Sequence, residues 1–292
     1  MERELWRVLY RIVYQLGETW GNWHYSTADI LVVYLWAVVH DRPTSWAAKP
    51  DNWPTELRPT CLPSQGTLSR RLRTTACVLL MTAVEQHLIT LLALGNRLVH
   101  SIDGKALGVS LVSKDPEAGY GRGAGGKQKG YKLHAIWADG PMPIAWGVSP
   151  MNTSEKRMAR GLIKSLPGGG YLLGDTQYDV NYLYDAAEAE GFQFVAKKTA
   201  SRGKGGLGHR RQAPGRLRSI ALLQTPFGRE LYKLRRAIEA SFGTLVSFGG
   251  GLACLPPWVR RFHRVRHWIQ AKLIIAGART LVIKKQTMKA LA

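Results

Sequence analysis

The spacing of apolar residues changes at Asn96, and this change restricts the possible folds more than any other feature of the sequence. Up to about residue 95 the spacing is helical, whereas beyond it apolar and polar residues alternate, as they do in half-buried strands. Alternating runs occupy 97–107, 130–138 and 142–148, and the turn-forming pair Asp139-Gly140 separates the last two. Short apolar runs at 171–174 and 192–196 then alternate with helical segments.

These two kinds of connection predict a mixed sheet. The first three strands are joined by short loops and should form an antiparallel meander, whereas the later two alternate with helices and should be parallel. Helices are expected at 154–166, at 227–245 and in a segment that Asp179 caps and that runs to Glu190. Two glycine-rich stretches, 114–130 and 199–218, predict a loop or hairpin end and a mobile loop. The order is that of an α/β fold with a ribonuclease H-like mixed sheet flanked by helices.

The first 95 residues predict a helical region, with helices at 4–16, 28–39 and 75–94. Residues 64–73 predict a turn that opens a basic helix containing Arg70 and Arg71. Such a segment fits the recognition helix of a DNA-binding helix-turn-helix, and it fits an ordinary basic surface helix equally well. We therefore divide the chain into 1–95, a helical N-terminal region, and 96–292, which contains the sheet and a basic C-terminal helix at 258–283.

The chain carries a large excess of positive charge. Lys and Arg total 41 against 20 Asp plus Glu, which gives a formal net charge of +21, and no acid follows Glu239. An excess of this size favours a polyanionic partner, because Lys and Arg make the contacts to phosphate. The longest apolar run, 30–39, is too short to span a bilayer, so we expect no membrane partner.

The cysteines indicate neither a disulfide framework nor a zinc site. Cys61, Cys77 and Cys254 are odd in number and far apart, and no CxxC pair occurs. The N-terminus shows no secretory signal, since it begins with charged and aromatic residues. We therefore expect a soluble protein of a reducing cytoplasm.

Two acids follow neighbouring strands of the predicted sheet. Asp103 comes after the apolar run that begins at Leu98, and Asp175 comes after Tyr171–Gly174. Carboxylates at buried strand ends are poorly solvated, and two of them on adjacent strands repel each other unless a cation lies between them. Mg²⁺ prefers a few carboxylate oxygens together with water and phosphate. The pair therefore predicts a site for a divalent cation.

Glu239 is the candidate for a third acid, from the helix beside the sheet. From Gly191 onward the only acids are Glu230 and Glu239, and Glu230 lies near the helix start, where the helix dipole favours an acid. Glu239 shares a helix face with Tyr232 and Arg235, at spacings i, i+3 and i+7. Taken alone, Glu239 is better explained by an ion pair with Arg235 or Arg236. Together with the two strand acids, it favours a metal site.

These residues resemble those of the DDE transposases of bacterial insertion sequences, in the large group with a Y-(2)-R-(3)-E-(6)-K signature. Tyr232, Arg235 and Glu239 match the first three letters with the right spacing. The segments around the two aspartates are similar too, at 102–105 and 174–179, as are 129–134 and 150–152. The final Lys of the signature falls on Val246, so any phosphate contact made there in relatives would come from elsewhere, such as Arg260 or Arg261.

The resemblance implies DNA strand cleavage and strand transfer at the ends of an insertion sequence. It implies that Asp103, Asp175 and Glu239 are catalytic and hold two Mg²⁺ or Mn²⁺ ions, and that a homodimer acts on double-stranded DNA in the prokaryotic nucleoid. The residues expected to bind DNA are Tyr232, Arg235, Arg236, Arg210, Arg211, Arg260, Arg261, Arg70 and Arg71. Two alternatives stay open: a metal-dependent nuclease of the same fold, and a non-catalytic DNA-binding protein derived from a transposase.

Overall fold

The computed structural model describes residues 2–17, 24–94, 97–123, 125–199, 207, 211–247, 251–252 and 255–291. Contacts group the chain into two compact units. One unit, residues 93–244, contains the sheet, and we call it the sheet unit. The other, residues 1–92 with 245–292, is helical, and we call it the helical unit.

The described part of the sheet unit contains one sheet of six strands. The strands are β1 (Val99–Val109), β2 (Gly119–Gly123), β3 (Gly126–Trp137), β4 (Ala145–Pro150), β5 (Gly170–Gly174) and β6 (Phe192–Ala196). Their order is β2-β3-β1-β5-β6, and β4 also pairs with β3. The β1–β3, β2–β3 and β3–β4 pairs are antiparallel, whereas β1–β5 and β5–β6 are parallel. The predicted mixed sheet is therefore confirmed.

Strand β1 is central because it joins the antiparallel and parallel halves of the sheet. It pairs with β3 along Ser101–Val109 and with β5 along Val99–Ser101. Because successive side chains of a strand point to opposite faces, Ile102 and Asp103 face different layers. Ile102 lies in a buried core with Leu172 and Phe194 on one face of the sheet. On the other face Leu173, Val195 and Leu231 form a smaller core.

The helices of the sheet unit flank both faces of the sheet. They are α6 (Glu155–Ile163), α7 (Asn181–Ala189), α8 (Pro214–Gln224), α9 (Pro226–Lys233) and α10, whose range Ala237–Ser247 crosses the boundary between the two units. Helices α6 and α7 contribute Leu162 and Leu183 to the larger core. Helix α9 contributes Leu231 to the smaller core. The ring of Phe242 on α10 packs edge-on against Trp137, with centroids 5.5 Å apart. Trp137 pairs with Ser101, so α10 covers the face to which Asp103 points.

Five details of this unit differ from the sequence predictions. Strand β1 continues to Val109, so Asp103 lies in its middle rather than at its end, because residues 104–109 still pair with β3. The 114–130 stretch, predicted as a loop or hairpin end, contains β2. Because glycine is uncommon in strands, its glycines did not indicate a strand in the sequence. Close packing requires glycine here, since a Cβ at Gly121 would lie 2.6 Å from Cγ of Met151. Helix α7 begins after Val180, and Asp179 does not cap it.

The other two differences concern the chain after β6. The predicted mobile loop 199–218 ends in ordered structure, because α8 begins at Pro214, a residue that favours the first helical turn. The predicted helix 227–245 is interrupted by a 3₁₀ turn at Leu234–Arg236. A 3₁₀ turn rotates successive residues further than an α-helix does. Leu234 is consequently 53% exposed, although its spacing placed it on the apolar stripe with Leu231 and Ile238.

The helical unit is built around long apolar helices. They are α1 (Glu2–Leu16), α2 (Thr27–Val39), α3 (Thr44–Ala47), α4 (Gln65–Arg71), α5 (Thr75–Leu91) and α11 (Phe262–Leu291). Helix α2 begins with a capping box in which Ser26 and Asp29 satisfy each other's backbone N–H groups. Ser64 caps α4 by accepting from the Thr67 N–H, as expected for the turn predicted there.

The C-terminal helix α11 packs against α1, α2 and α5. Inside this bundle Gln270 donates to Glu85, and Lys272 Nζ lies 2.5 Å from Asp41 Oδ1. The packing thus groups α11 with the N-terminal helices, whereas the sequence division placed it with the sheet. The sequence of α11 alone did not indicate that this helix packs against α1, α2 and α5.

No single helix in the described ranges is long and apolar enough to cross a membrane. Helices α4 and α5 are together long and apolar enough, but they are bent by 76° at the break between them.

Candidate active site

Asp103 and Asp175 occupy equivalent positions on two adjacent parallel strands. The last residues paired between β1 and β5 are Ser101 and Leu173, and each aspartate lies two residues beyond its strand's member of that pair. An even separation keeps a side chain on the same face, so both carboxylates point to the face covered by α9 and α10. Neighbouring strands lie about 4.8 Å apart, which brings the two carboxylates together. The two acids are thus neighbours beyond the same strand pair, and the charge of Asp175 acts on Asp103.

The Asp103 carboxyl is destabilised in its charged form. Its pKa is raised from 3.8 to about 6, chiefly by burial and also by the negative charges of Asp175 and Glu155, while the Gly104 N–H and Arg235 oppose the shift. The Gly104 nitrogen lies 2.7 Å from Asp103 Oδ1. A half-buried carboxyl beside a second acid is the electrostatic condition that a bound cation relieves.

The orientation of Asp175 is fixed by its own backbone. Its Oδ1 accepts from the Gln177 N–H at 2.8 Å, so the side chain caps the 3₁₀ helix Thr176–Tyr178. The Tyr178 ring is buried in the larger core and anchors this short helix beneath the sheet. Asp175 is therefore held at the strand end by a turn that is itself packed.

Glu155, in the first turn of α6, is an acid near this site that the sequence analysis missed. It forms an ion pair with Lys132, and the Tyr178 hydroxyl donates to it at 3.2 Å. Its charge contributes to the raised pKa of Asp103. In the sequence Glu155 follows Ser154 at a helix start, where an acid is expected for structural reasons, so no signal separated it from an ordinary first-turn glutamate.

Tyr232 and Arg235 connect α9 to the strand end. The Tyr232 hydroxyl donates to the carbonyl of Gly174, the residue before Asp175, at 3.0 Å. Lys197 Nζ lies 5.4 Å from the centre of the Tyr232 ring, within the range of a cation–π contact. Arg235 is close enough to lower the pKa of Asp103. These two signature residues are thus brought to the aspartates in the folded chain.

Glu239 lies on the same side of the sheet, but it does not join the aspartates. Its carboxylate is 65% exposed, and its Oε1 lies 3.5 Å from Nη2 of Arg235, whose side chain is 20% exposed. The ion pair that the sequence offered as the alternative explanation is therefore present. Arg235 thus interacts both with Glu239 and with Asp103.

The donor chemistry of the aspartate pair fits a hard divalent cation. Mg²⁺ is commonly held by one or two carboxylates, with water and substrate phosphate completing its shell. Within the described ranges, no group of three or more His, Cys, Asp or Glu side chains is close enough together to hold a metal ion. Asp103 and Asp175 are therefore the two carboxylates here that could hold such a cation, and no third lies with them among the described residues.

Asp179 has a structural role that its position in the sequence did not indicate. Its fully buried carboxylate accepts from Nε and Nη2 of Arg216 at 2.7 and 2.6 Å, from the Thr199 N–H at 2.8 Å, and from the Tyr184 hydroxyl at 3.0 Å. Burial alone would raise its pKa, but these donors hold the pKa below its usual range. Asp179 thus fixes both ends of the basic segment between Thr199 and Arg216. Of the arginines predicted to bind DNA there, Arg211 is exposed and Arg210 lies outside the described residues.

The other predicted DNA-binding arginines differ in their surroundings. Arg236 and Arg70 are exposed, whereas Arg71 donates to the carbonyl of Tyr25 at 3.1 Å and to Thr27 at 3.4 Å. In the helical unit Arg260 donates back to carbonyl groups of its own turn, and Arg261 is exposed with φ 71°. Arg71 and Arg260 therefore already have intramolecular partners.

Comparison with known proteins identifies the family. Residues 95–276, more than half of the chain, match the family model described as the transposase DDE domain. Searches of curated proteins and of solved structures gave no match. The six-stranded mixed sheet flanked by helices fits the ribonuclease H-like architecture of such a domain. The chain therefore belongs to the transposase DDE domain family.

Proposed function

We propose that this protein cleaves and joins DNA at the ends of an insertion sequence of the group with the Y-(2)-R-(3)-E-(6)-K signature. The observation that carries the proposal is the convergence of Asp103 and Asp175 beyond the same strand pair, in a chain of the transposase DDE domain family. Tyr232 and Arg235 lie beside them at the spacing of the signature. The partner is double-stranded DNA, bound by a homodimer through part of the +21 charge.

Two Mg²⁺ or Mn²⁺ ions, when bound, would activate the attacking water or 3′-hydroxyl and neutralise the leaving oxygen. Asp103 and Asp175 would hold them, with phosphate oxygens of the DNA completing the shell. The backbone bond from Gln177 keeps the Asp175 carboxylate oriented before DNA arrives. The bond from Tyr232 to Gly174 keeps α9 against the strand end, so Arg235 stays beside Asp103 and faces the incoming phosphate.

Glu239 would complete the site when DNA is bound. Among the described residues its exposed side chain pairs with Arg235 alone, at 3.5 Å, a contact of low energetic value at the protein surface. A phosphate that pairs with Arg235 would release Glu239 from this contact and leave it free to turn toward the aspartates. The third ligand and the substrate would therefore arrive together.

The proposal is tested by incubating the purified protein with labelled duplexes that carry the element's own ends, with and without Mg²⁺. Asp103→Asn, Asp175→Asn and Glu239→Gln should each lower cleavage by about 10³-fold or more, because metal-ion charge stabilisation contributes several kcal/mol and each 1.36 kcal/mol is tenfold in rate. Binding of the ends should stay nearly intact. Glu230→Gln is the matched control and should cleave normally, since its exposed carboxylate pairs with Lys233.

The products of the same assay separate the alternatives. Joining of the cut 3′ end to target DNA supports a transposase. Cleavage with no joined product would identify a nuclease of the same fold. Binding with neither product would identify a non-catalytic DNA-binding protein and would overturn the proposal.

A further inference from the structure

The helical unit contains a cavity of about 280 Å³ that the proposed chemistry does not use. Its wall is formed by α2, by the segment that opens α3, by α4 and the residues after it, and by the chain from Trp258 into α11. Its lining is rich in arginine and aromatic side chains, and it includes Tyr34, Arg42, Arg73, Trp258, Arg264, His267 and Trp268. Helix α4, the segment whose recognition role the sequence left open, contributes Gln65 and Ser69.

The cavity has a cationic rim. Arg42, Arg73 and Arg264 are all exposed, and they come from three separate parts of the chain. No Asp or Glu occurs among the described residues that line it. Asp41, next to Arg42 in sequence, is engaged by Lys272. The positive charge of the rim is therefore not balanced by a carboxylate in the wall.

One of the two histidines in the wall, His267, lies in the same cationic environment. Its pKa is lowered from 6.5 to about 4, chiefly by burial and also by the nearby His263 and Arg266. His267 is consequently neutral near pH 7, and further positive charge is unfavourable at this place. An anion in the cavity would relieve that electrostatic cost.

The cavity is also aromatic. The Trp268 ring is buried with Lys272 Nζ 5.1 Å from its centre, and Tyr34 is buried beside it. Trp258 also lines the cavity and is 38% exposed, although a large aromatic side chain normally gains from burial. The adjacent turn is preorganised, because Nη1 of Arg260 donates to the carbonyls of Pro256 and Val259 at 2.6 and 2.8 Å.

We propose that this cavity binds one unpaired nucleotide of a DNA strand, with its phosphate on Arg73 and Arg264 and its base against Trp258. Arginine pairs with phosphate through parallel N–H···O bonds, and an exposed aromatic ring stacks on any base. The volume lies at the lower limit of small-molecule sites, about 300 Å³, which suits a single nucleotide and excludes a base pair. The choice of DNA over a free nucleotide rests on the proposed function, since cleavage at a transposon end leaves strands with free termini.

The test compares two duplexes of the same length, one blunt and one with a short unpaired overhang, by fluorescence anisotropy without divalent metal. The wild-type protein should bind the overhang duplex about 10-fold more tightly, as expected for one stacked base. Trp258→Ala and the double variant Arg73→Gln/Arg264→Gln should lose this preference. Trp258→Phe should keep most of it, because phenylalanine still stacks, which separates a stacking role from a general loss of structure.

Arg11→Gln is the matched control, because Arg11 is exposed on α1 and does not line the cavity. It should lower the affinity for both duplexes equally and leave their ratio unchanged. Equal binding of blunt and overhang duplexes by the wild type, or an unchanged ratio in Trp258→Ala, would overturn the proposal. So would dAMP bound as tightly as the overhang, which indicates a free-nucleotide site, or competition by poly-glutamate at equal charge, which indicates an acidic peptide.

A second readout locates the contact. An overhang that carries 5-iododeoxyuridine should crosslink to Trp258 under near-ultraviolet light, and mass spectrometry of the digest identifies the residue. Crosslinking confined to other residues contradicts the proposal. The two proposals fail separately: a wild-type protein that shows no overhang preference but normal Mg²⁺-dependent cleavage overturns only the cavity, whereas undiminished cleavage by Asp103→Asn overturns only the catalytic function.

Discussion

The carboxylates carried by the sheet and the carboxylate carried by the helix are held in different ways. Asp103 and Asp175 are fixed by strand pairing, by a backbone bond to each side chain, and by the packed 3₁₀ helix that follows Asp175. Glu239 lies after a 3₁₀ turn and has one contact, at 3.5 Å, to Arg235. The sheet thus fixes two of the three carboxylates proposed as ligands, while the third, after the interrupted helix, is held only weakly.

The largest effect that bears on this comparison concerns Asp179, which holds the chain four residues beyond Asp175. Asp179→Asn should destabilise the protein by about 3–5 kcal/mol, because it leaves the guanidinium of Arg216 uncompensated in a largely buried position. At roughly 2–4 °C per kcal/mol, thermal unfolding should shift down by at least about 6 °C. Glu188→Gln, which breaks the exposed pair with Arg218, should change the stability by less than about 1 kcal/mol. Equal shifts of the melting temperature in the two variants would mean that Asp179 stabilises the protein no more than an exposed ion pair does.

The next effect is on metal binding by the free protein. Asp103→Asn and Asp175→Asn should each weaken Mn²⁺ binding by about 100-fold or more, since loss of an outer-shell partner alone costs about 10–100-fold. Glu239→Gln should leave it nearly unchanged, because Glu239 does not reach the pair without DNA. Electron paramagnetic resonance of bound Mn²⁺ measures all three. If Glu239→Gln weakens binding as much as the other two, the third ligand is already in place and the comparison fails.

A smaller effect follows from the raised pKa of Asp103. A carboxyl whose pKa is about 6 when folded and 3.8 when unfolded favours folding most at low pH, and that contribution is lost as pH rises through this interval. Asp103→Asn imitates the protonated form. In chelator-treated buffer it should melt higher than the wild type by a few degrees near pH 8, and the difference should vanish near pH 4. A difference that is constant with pH would exclude this carboxyl as its origin.

The Tyr232 hydroxyl connects α9 to the strand end before Asp175, and loss of this hydroxyl should have a modest effect on stability. Tyr232→Phe removes the bond to the Gly174 carbonyl and should cost about 1 kcal/mol. Cleavage should fall by more than the melting temperature implies, because α9 sets the position of Arg235. Tyr182→Phe, at an exposed position on α7, serves as the control. A variant that cleaves normally despite a lower melting temperature would show that the bond is only structural.

The smallest effect tests the interruption of the helix itself. Leu234→Gln should change the stability by less than about 0.5 kcal/mol, because the side chain is already exposed after the 3₁₀ turn. Leu231→Ala, one turn earlier and buried, should cost about 2–5 kcal/mol. Urea unfolding of both variants gives the values. A large loss for Leu234→Gln would mean that the helix runs uninterrupted in solution.

The sequence was sufficient where a feature depends on periodicity. Alternating runs and short connections predicted the mixed sheet, and parallel pairing of β1 with β5 then required Asp103 and Asp175 to be neighbours. It was insufficient where packing overrides the pattern. Glycines that accommodate Met151 concealed β2, and the apolar stripe through Leu234 gave no sign of the 3₁₀ turn.

Partners distant in the sequence were equally beyond prediction. Asp179 was expected to cap a helix because it stands just before one, but Arg216, 37 residues later, determines what it does. Helix α11 was assigned to the sheet domain by order along the chain, although its apolar surface fits α1, α2 and α5. Glu155 was indistinguishable from a first-turn acid until Lys132 and Tyr178 were seen beside it.

The contacts of Asp179 also allow the basic segment between Thr199 and Arg216 to vary in length. Because one carboxylate binds both Thr199 and Arg216, the chain between them is closed at its base. Lengthening a flexible closed segment costs only about 0.6 kcal/mol per doubling. Residues could therefore be inserted there at a small cost in stability while the aspartates keep their positions.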